Sequence, residues 1–222
     1  MNLLGFDTST AASAACVLRS DGEVFEVVPK VERLAARPAH ASELMPAVAG
    51  VMERAGLGFG DLDAIAVGVG PGTFTGLRIG VASARALASA AGLPLRPVSS
   101  LAALAEGIEA ELRLPLIDAK RGELFAALHG PEDRLWEPFA ATPGELGARV
   151  QEAGLAPLAA GDGSIRFRGA LEAAGIRVAP DEAGVHVVRA LHVCRLAEGV
   201  RGEPPERVLP DYRRAPDAKP SA

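Results

Sequence analysis

The chain opens on three short apolar runs, Asn2–Thr8, Ala12–Leu18 and Gly22–Pro29, each the length of a strand. The last two are joined by Ser20-Asp21-Gly22-Glu23, and Asp-Gly between apolar runs is a hairpin signal. From His40 the spacing changes to that of a helix, which runs to Ala55 and stops at Gly56. Its apolar positions form two stripes: Leu44, Ala47, Val48 and Val51 make one, and Ala41, Met45, Ala49 and Met52 the other. Polar residues are confined to Ser42, Glu43, Glu53 and Arg54. A helix that only covers a sheet needs one stripe, so the second predicts a second contact. A strand over Ala64–Val67 and a helix over Thr75–Ala91 follow, the helix ending at Gly92-Leu93-Pro94. That helix carries Gly76, Gly80, Ala82, Ser83, Ala84, Ala86, Ala88 and Ser89 on all sides, which lets neighbouring elements come close.

The second half repeats the pattern less cleanly. Leu114–Asp118 and Gly122–Leu128 read as strands about the link Ala119-Lys120-Arg121. Thr142–Ala153 reads as a helix with Thr142 as N-cap and Pro143 in its first turn. Pro157–Ala160 is a short strand ending in Gly161-Asp162-Gly163, and Val185–Val200 is a last helix. The reading is an α/β protein with two related lobes, 1–100 and a smaller 101–200. The charged, Pro-rich tail 201–222 is either a strap that packs back on a lobe or disordered.

Between the strand Ala64–Val67 and the following helix lies Gly68-Val69-Gly70-Pro71-Gly72-Thr73-Phe74-Thr75-Gly76-Leu77-Arg78-Ile79-Gly80, six of whose thirteen residues are Gly or Pro. A glycine-rich turn between strand and helix either offers bare N–H groups to an anion or lets another backbone approach closely. Asp7, Thr8, Ser9 and Thr10, at the end of the first strand, carry the same ambiguity. They form a phosphate cradle, or they satisfy backbone groups at a strand end while Ser9 or Thr10 caps a turn.

Composition narrows the chemistry. A chain of 222 residues, 49% hydrophobic but only 4% aromatic, can build a core, and one of Ala, Val, Leu and Ile. Net charge is −5, which argues against gripping nucleic acid unaided, since that needs a dense basic face. No apolar run reaches the roughly 20 residues of a membrane span. The first residues lack a basic n-region, so they are expected to form a strand in a cytoplasmic protein. Cys16 and Cys194 lie in apolar contexts and read as buried thiols. The four histidines, His40, His129, His186 and His192, show no ligand pair, and Ser99 and Ser100 read as an N-cap pair for a helix over Leu101–Glu106. No nucleophile with a base in reach is visible, so no catalytic residue is assigned.

The opening Leu4-Gly5-Phe6-Asp7-Thr8-Ser9-Thr10 resembles the first phosphate segment of the superfamily of actin-like ATPases, sugar kinases and heat-shock chaperones. Joined to the glycine-rich turn, to Val98-Ser99-Ser100-Leu101, to Ile117-Asp118-Ala119-Lys120-Arg121-Gly122-Glu123 and to Pro210-Asp211-Tyr212-Arg213-Arg214, it resembles the TsaB-like (YeaZ-like) branch of the Kae1/TsaD family over nearly the whole chain. The resemblance implies a subunit of the complex that installs threonylcarbamoyladenosine in tRNAs reading codons that begin with adenine. In that family TsaD carries the transfer chemistry, TsaC makes the threonylcarbamoyl adenylate and TsaE is an ATPase. The TsaB-like member is a required scaffold bound to TsaD, pairs with itself through the same helical surface, and meets tRNA only through the complex.

TsaD-like paralogues hold a metal with His-x-x-x-His. The matching positions here are Ser100 and Leu104, which implies no metal. The resemblance makes Asp7, Thr8, Ser9, Thr10, Gly70, Gly72 and Thr73 a vestigial phosphate site, with no cofactor of its own and at most a weak nucleotide contact within the complex. Leu44, Val48, Met52, Arg78, Ile79, Ala82, Arg85 and Ala86 are expected to form the partner interface, or else to belong to the core. Tyr212, Arg213 and Arg214 either reach a partner or tRNA, or serve as a strap. A stand-alone ATPase or small-molecule kinase of the same fold is the alternative.

Overall fold

In the computed structural model, which describes residues 1–213, the chain forms two five-stranded sheets. The first is built from β1 (Leu3–Asp7), β2 (Ala14–Leu18), β3 (Val24–Val27), β4 (Ala64–Gly70) and β5 (Leu95–Ser99), in the order β3-β2-β1-β4-β5. β1 pairs antiparallel with β2 and parallel with β4, so the hairpin supplies one edge and the crossovers the other. Helices α1 (His40–Ala55) and α2 (Phe74–Ala91) cover one face, where Leu4, Phe6, Val17, Ile65 and Val67 meet Leu44, Val48, Val51, Val81 and Ala84. Strands β1, β2 and β4 are buried on both faces, which explains why their sequences run apolar without alternating.

The second sheet comprises β6 (Arg113–Lys120), β7 (Glu123–His129), β8 (Arg134–Ala141), β9 (Leu158–Ala160) and β10 (Arg177–Val178), ordered β10-β9-β6-β7-β8. Helix α4 (Pro143–Glu152) packs on it, capped by Thr142, whose hydroxyl accepts from the Glu145 amide while the Glu145 carboxylate accepts from Thr142 N–H. Short helices α5 (Asp162–Arg166) and α6 (Arg168–Ala173), and strands β8 and β10, are elements that the apolar spacing did not predict.

Between the sheets lie α3 (Ser100–Ala105), with Ser99 as its N-cap, and α7 (Ala190–Glu198). They share a core with Leu3, Cys16, Ala64 and Ala66 of the first sheet and Ile117, Phe125 and Ala127 of the second. This corrects the boundary expected from sequence: the last helix belongs by packing to the first lobe. The cause is local. Gly5 has no side chain, and a Cβ there would stand 2.4 Å from Cys194 Sγ, so the helix settles directly on β1. Its ends are held by charges from the same sheet. The Glu26 carboxylate accepts from Leu191 N–H (3.1 Å) and from Arg189 Nε (3.2 Å) at the N-terminus. Arg96 donates to the carbonyl of Ala197 at the C-terminus (2.7 Å). Cys16 and Cys194 are both free and buried. Among the described residues no helix is long and apolar enough to cross a membrane.

The tail is a strap as far as it is described. Leu95 and Glu203 exchange two backbone hydrogen bonds, Val208 is buried beside α1 and α2, and Asp211 N–H donates to Val69 C=O at 2.7 Å. Arg214 lies outside the described residues.

Candidate functional site: a closed glycine turn and an open interlobe cleft

Asp7, Thr8, Ser9 and Thr10 are all buried, none more than 2% exposed. Asp7 Oδ1 accepts from the amide and the hydroxyl of Ser9 (2.8 and 2.6 Å). Its Oδ2 accepts from Ser100 Oγ (2.6 Å), whose oxygen in turn accepts from Gly70 N–H (3.1 Å). Burial pushes the Asp7 carboxyl up, against the lowering effect of the Ser100 and Ser9 hydrogen bonds. Thr8 Oγ1 donates to the carbonyl of Gly76 (2.8 Å), and Thr10 Oγ1 accepts from Ala12 N–H (3.3 Å). Each polar group of this segment is spent on the protein itself.

The turn does the same. Thr73 N–H donates to Ser9 C=O at 2.7 Å. A Cβ on Gly72 would stand 2.5 Å from Ser9 O, and one on Gly76 2.0 Å from Thr8 O. A Cβ on Gly68 would meet Asp7 Oδ2 at 1.8 Å. The glycines let the turn close on the segment Thr8–Ser9, backbone against backbone at Gly72 and Gly76. The metal of the TsaD-like paralogues does not fit either. Ser100 Oγ is committed to Asp7, Leu104 is 1% exposed in the shared core, and among the described residues no three His, Cys, Asp or Glu side chains are placed to hold a metal.

Thr73 faces an open cleft of 540 Å³ between the lobes. Its walls come from Ala11, from the turn of 3₁₀-helix Val31–Ala35, and from Asp118, Lys120, Asp162, Ile165, Arg166 and Asp181 of the second lobe. Asp118 is buried (4% exposed), and its Oδ2 takes Lys120 Nζ (2.8 Å) and Arg166 Nη1 (3.1 Å). Lys120 and Arg121 have positive φ (65° and 54°), with Gly122 at 85°, because the β6–β7 hairpin carries an irregularity there. Asp162 Oδ1 accepts from Asp118 N–H (3.0 Å), and burial, with the Asp118 charge adding to it, pushes the Asp162 carboxyl up to about 6. Gly161, which precedes it, is pinned by His186, whose Nδ1 accepts from the Gly161 amide (3.0 Å). The segments Ile117–Glu123 and Gly161–Gly163 stood out separately in the sequence, but only the fold, joining turns far apart in the chain, brings Asp118, Lys120 and Asp162 together with Arg166 and Asp181.

Among the described residues there are two Ser–His contacts, Ser13 Oγ to His40 Nδ1 (2.8 Å) and Ser164 Oγ to His186 Nδ1 (3.2 Å). All four side chains are buried, so neither pair faces a substrate. His40, the first residue of α1, is an internal one, and burial holds its imidazole below the usual range.

The expected interface residues separate into two sets. Leu44, Val48 and Met52 are 1%, 1% and 5% exposed and belong to the core of the first lobe, a correction that follows from α1 lying flat on the sheet. Arg78, Ala82 and Ala86 are exposed, and Ile79 and Arg85 half-buried. On α1 the outward stripe is Ala41, Met45 and Ala49. A cluster not expected from sequence crowns α2. The Arg78 guanidinium lies 3.8 Å from the Phe74 ring centroid and donates to Tyr212 OH (3.2 Å), while the Phe74 and Tyr212 rings are 5.1 Å apart.

Comparison with known proteins gives a consistent set of likenesses. Residues 27–138 match the family model described as "TsaD: tRNA N6-adenosine threonylcarbamoyltransferase". The chain is 35% identical over 129 residues to the tRNA threonylcarbamoyladenosine biosynthesis protein TsaB of Haemophilus influenzae, a match covering 56% of this chain and 52% of that protein. The TsaB of Escherichia coli is 35% identical over 144 residues, covering 61% and 58%. The chain thus spans little more than half the length of these curated relatives. An uncharacterized protein of Mycobacterium bovis is 34% identical across 99% of this chain and 95% of its own length. YeaZ from Pseudomonas aeruginosa superposes with a TM-score of 0.78 at 26% identity, covering 95% of this chain and 99% of that one. A second Pseudomonas aeruginosa structure, described as similar to "peptidase YEAZ", gives 0.79 at 27% identity, covering 96% and 99%.

Proposed function

Since the chain belongs to the TsaD family, in its TsaB (YeaZ) branch, we propose that it serves the formation of threonylcarbamoyladenosine in tRNA as a non-catalytic subunit that binds and activates a TsaD-like partner. The observation that carries this reading is the closed turn. The side chains that would orient a phosphate or a metal in an active relative are bound instead to Ser9, Ser100, Gly70 and Gly76. A carboxylate with three protein donors has little left for a magnesium ion. The small, outward residues Ala82 and Ala86 of α2, beside the outward stripe of α1, support a helical partner surface that accepts either a TsaD-like subunit or a second copy of this chain. A TsaC-like synthase and a TsaE-like ATPase complete the proposed pathway, tRNA is met through the complex, and the reading places the protein in the cytoplasm. Reconstitution tests it: purified TsaC-, TsaD- and TsaE-like proteins should form the modified nucleoside on tRNA with this chain and not without it. Full modification in its absence refutes the reading.

The interlobe cleft gives a second reading its one specific support, since Lys120 and Arg166 line a space of 540 Å³ where a nucleotide contact within the complex is conceivable. If the chain is a stand-alone ATPase or kinase, ATP turnover by the purified chain should exceed about 1 per second. A peptidase reading has no such support, both Ser–His pairs being enclosed.

A further inference from the structure

Arg78 is held by two contacts. Its guanidinium carbon stands 3.8 Å over the centre of the Phe74 ring, and the strap brings Tyr212 across 134 positions of sequence to accept from its Nε. Phe74 and Tyr212 remain 38% and 43% exposed, among the few large apolar side chains of the described residues that face solvent. The positive charge stays unanswered. Some arginines pair with carboxylates, Arg19 with Asp21 and Glu23, Arg33 with Glu43, Arg134 with Glu137, Arg168 with Glu172 and Asp181, Arg213 with Asp211, whereas exposed Arg149, over the Trp136 and Phe139 rings, has no ion pair among the described residues. Arg78 has no ion pair among the described residues, and the 18 residues of α2 include no Asp or Glu. Four of the five guanidinium donors remain for another molecule. Arg85, two turns along the same helix, is likewise without an ion pair among the described residues.

We infer that Tyr212 and Phe74 hold Arg78 in place as an anchor for a carboxylate on the surface of the partner subunit, so that the C-terminal strap is part of the partner face. The inference rests on the TsaD-like partnership proposed above and extends it to a named contact and to its chemistry. A guanidinium fixed by stacking has already lost much of its rotamer freedom, so less is lost when it forms a forked pair. Arginine and tyrosine at the centre of a patch, with small residues around them, have the composition of an interface hot spot. A protein carboxylate matches this geometry better than RNA does. One unpaired guanidinium beside one half-buried neighbour neutralises few phosphates, and the chain as a whole carries −5. The anchor adjoins Ala82 and Ala86, one and two turns further along the exposed side of α2. Tyr212 is a positioning residue here, and Arg78 the contact.

Calorimetric titration of the purified TsaD-like subunit with the full chain, at 0.1 and 0.5 M NaCl, tests the inference. Arg78→Ala should weaken binding about 30-fold and remove most of its salt dependence. Arg78→Lys should restore only part of the affinity, because an ammonium neither stacks nor forks. Tyr212→Phe keeps the ring and loses the hydroxyl, so it should weaken binding about threefold, with Tyr212→Ala weaker still. A purely structural Tyr212 would lower the melting temperature and leave the salt dependence of binding untouched. Affinity of Arg78→Ala within twofold of wild type overturns the proposal. So does a loss confined to tRNA binding, which would make the cluster a nucleic-acid contact. Failure of the wild-type chain to bind the TsaD-like subunit at all refutes the underlying reading and takes this inference with it.

Discussion

Two glycines of α2, one turn apart, should respond differently to the same substitution. Alanine at either position raises helix propensity by about 1 kcal/mol. At Gly76 the new Cβ would stand 2.0 Å from the backbone carbonyl of Thr8 and 2.6 Å from Thr73 Oγ1. That carbonyl belongs to a segment tied to the turn through Ser9 O and Thr73 N, so relief requires about 1 Å of backbone movement on the helix or the strand end. Overpacking of this kind costs about 1–3 kcal/mol. Loss of the buried Thr8–Gly76 hydrogen bond adds about 1 kcal/mol. The net expectation for Gly76→Ala is a destabilisation of about 1–3 kcal/mol, or roughly 2–12 °C in melting temperature for a chain of this size. At Gly80 the obstacle is Thr8 Oγ1 at 2.3 Å, the tip of a side chain that can rotate away. Gly80→Ala should therefore cost at most about 1 kcal/mol, the hydrogen bond lost set against the propensity gained. Thr8→Ala should rescue Gly80→Ala, with a coupling of about 1 kcal/mol in a double-mutant cycle, and should not rescue Gly76→Ala. Gly50→Ala, in α1 with open space around the new Cβ, serves as the control and should stabilise slightly. Differential scanning calorimetry on the six variants, four single and two double, decides. A Gly76→Ala protein melting within 2 °C of wild type, or rescued by Thr8→Ala as fully as Gly80→Ala, refutes the account of the turn as a backbone-to-backbone contact.

Three further outcomes follow from the same coordinates. Glu26→Ala should lower stability by about 2 kcal/mol in urea titration; the full cost of a broken buried pair is not expected, because Arg189 is about a third exposed. Asp162, with its carboxyl raised to about 6, binds its proton more tightly folded than unfolded, so it stabilises most below pH 4 and loses that contribution as pH rises through 6. The melting temperature of Asp162→Asn relative to wild type should therefore climb between pH 4 and pH 6, and a flat difference contradicts the raised carboxyl. Ala86→Arg should leave the melting temperature unchanged while abolishing co-elution with the TsaD-like subunit, whereas Leu44→Ala should cost about 2–4 kcal/mol, as expected for a core leucine.

Much of the first lobe was legible because its signals are local. The helix His40–Ala55 matches its predicted bounds, since apolar spacing, Gly56 and their contrast with the preceding strands all fall within one window. Thr142 as N-cap and the Ser99 cap of α3 are equally local. Other features depend on what the chain meets. β8 carries Trp136, Glu137, Pro138 and Phe139 on a half-exposed edge strand, with no alternation to announce it. Both stripes on α1 read alike in sequence, and only the sheet beneath shows that Leu44, Val48 and Met52 face inward while Ala41, Met45 and Ala49 face outward. The Asp7–Thr10 segment and the glycine turn were both singled out, and so was the choice between anion and backbone. What the sequence could not supply was distance: Ser9 C=O takes the Thr73 amide, and the Ser100 hydroxyl that completes the arrangement comes from 93 residues away. The Arg78 cluster was hidden for the same reason.

The helix α7, clamped by Glu26 at one end and Arg96 at the other, also sets the order in which the protein can be assembled. The first sheet is complete once Ser99 has been synthesised, yet its lower face, with Gly5 and Cys16, stays uncovered until residues 190–198 emerge. At about 5–20 residues per second the ribosome leaves that face open for roughly 5–20 s. The second lobe is made entirely within that interval. A fragment ending near residue 100 should be sticky rather than folded, and a synthetic peptide spanning α7, supplied separately, should be what makes it soluble. Helix α7 acts as the keystone of the first sheet, so the two become one cooperative unit only after residues 190–198 have been made.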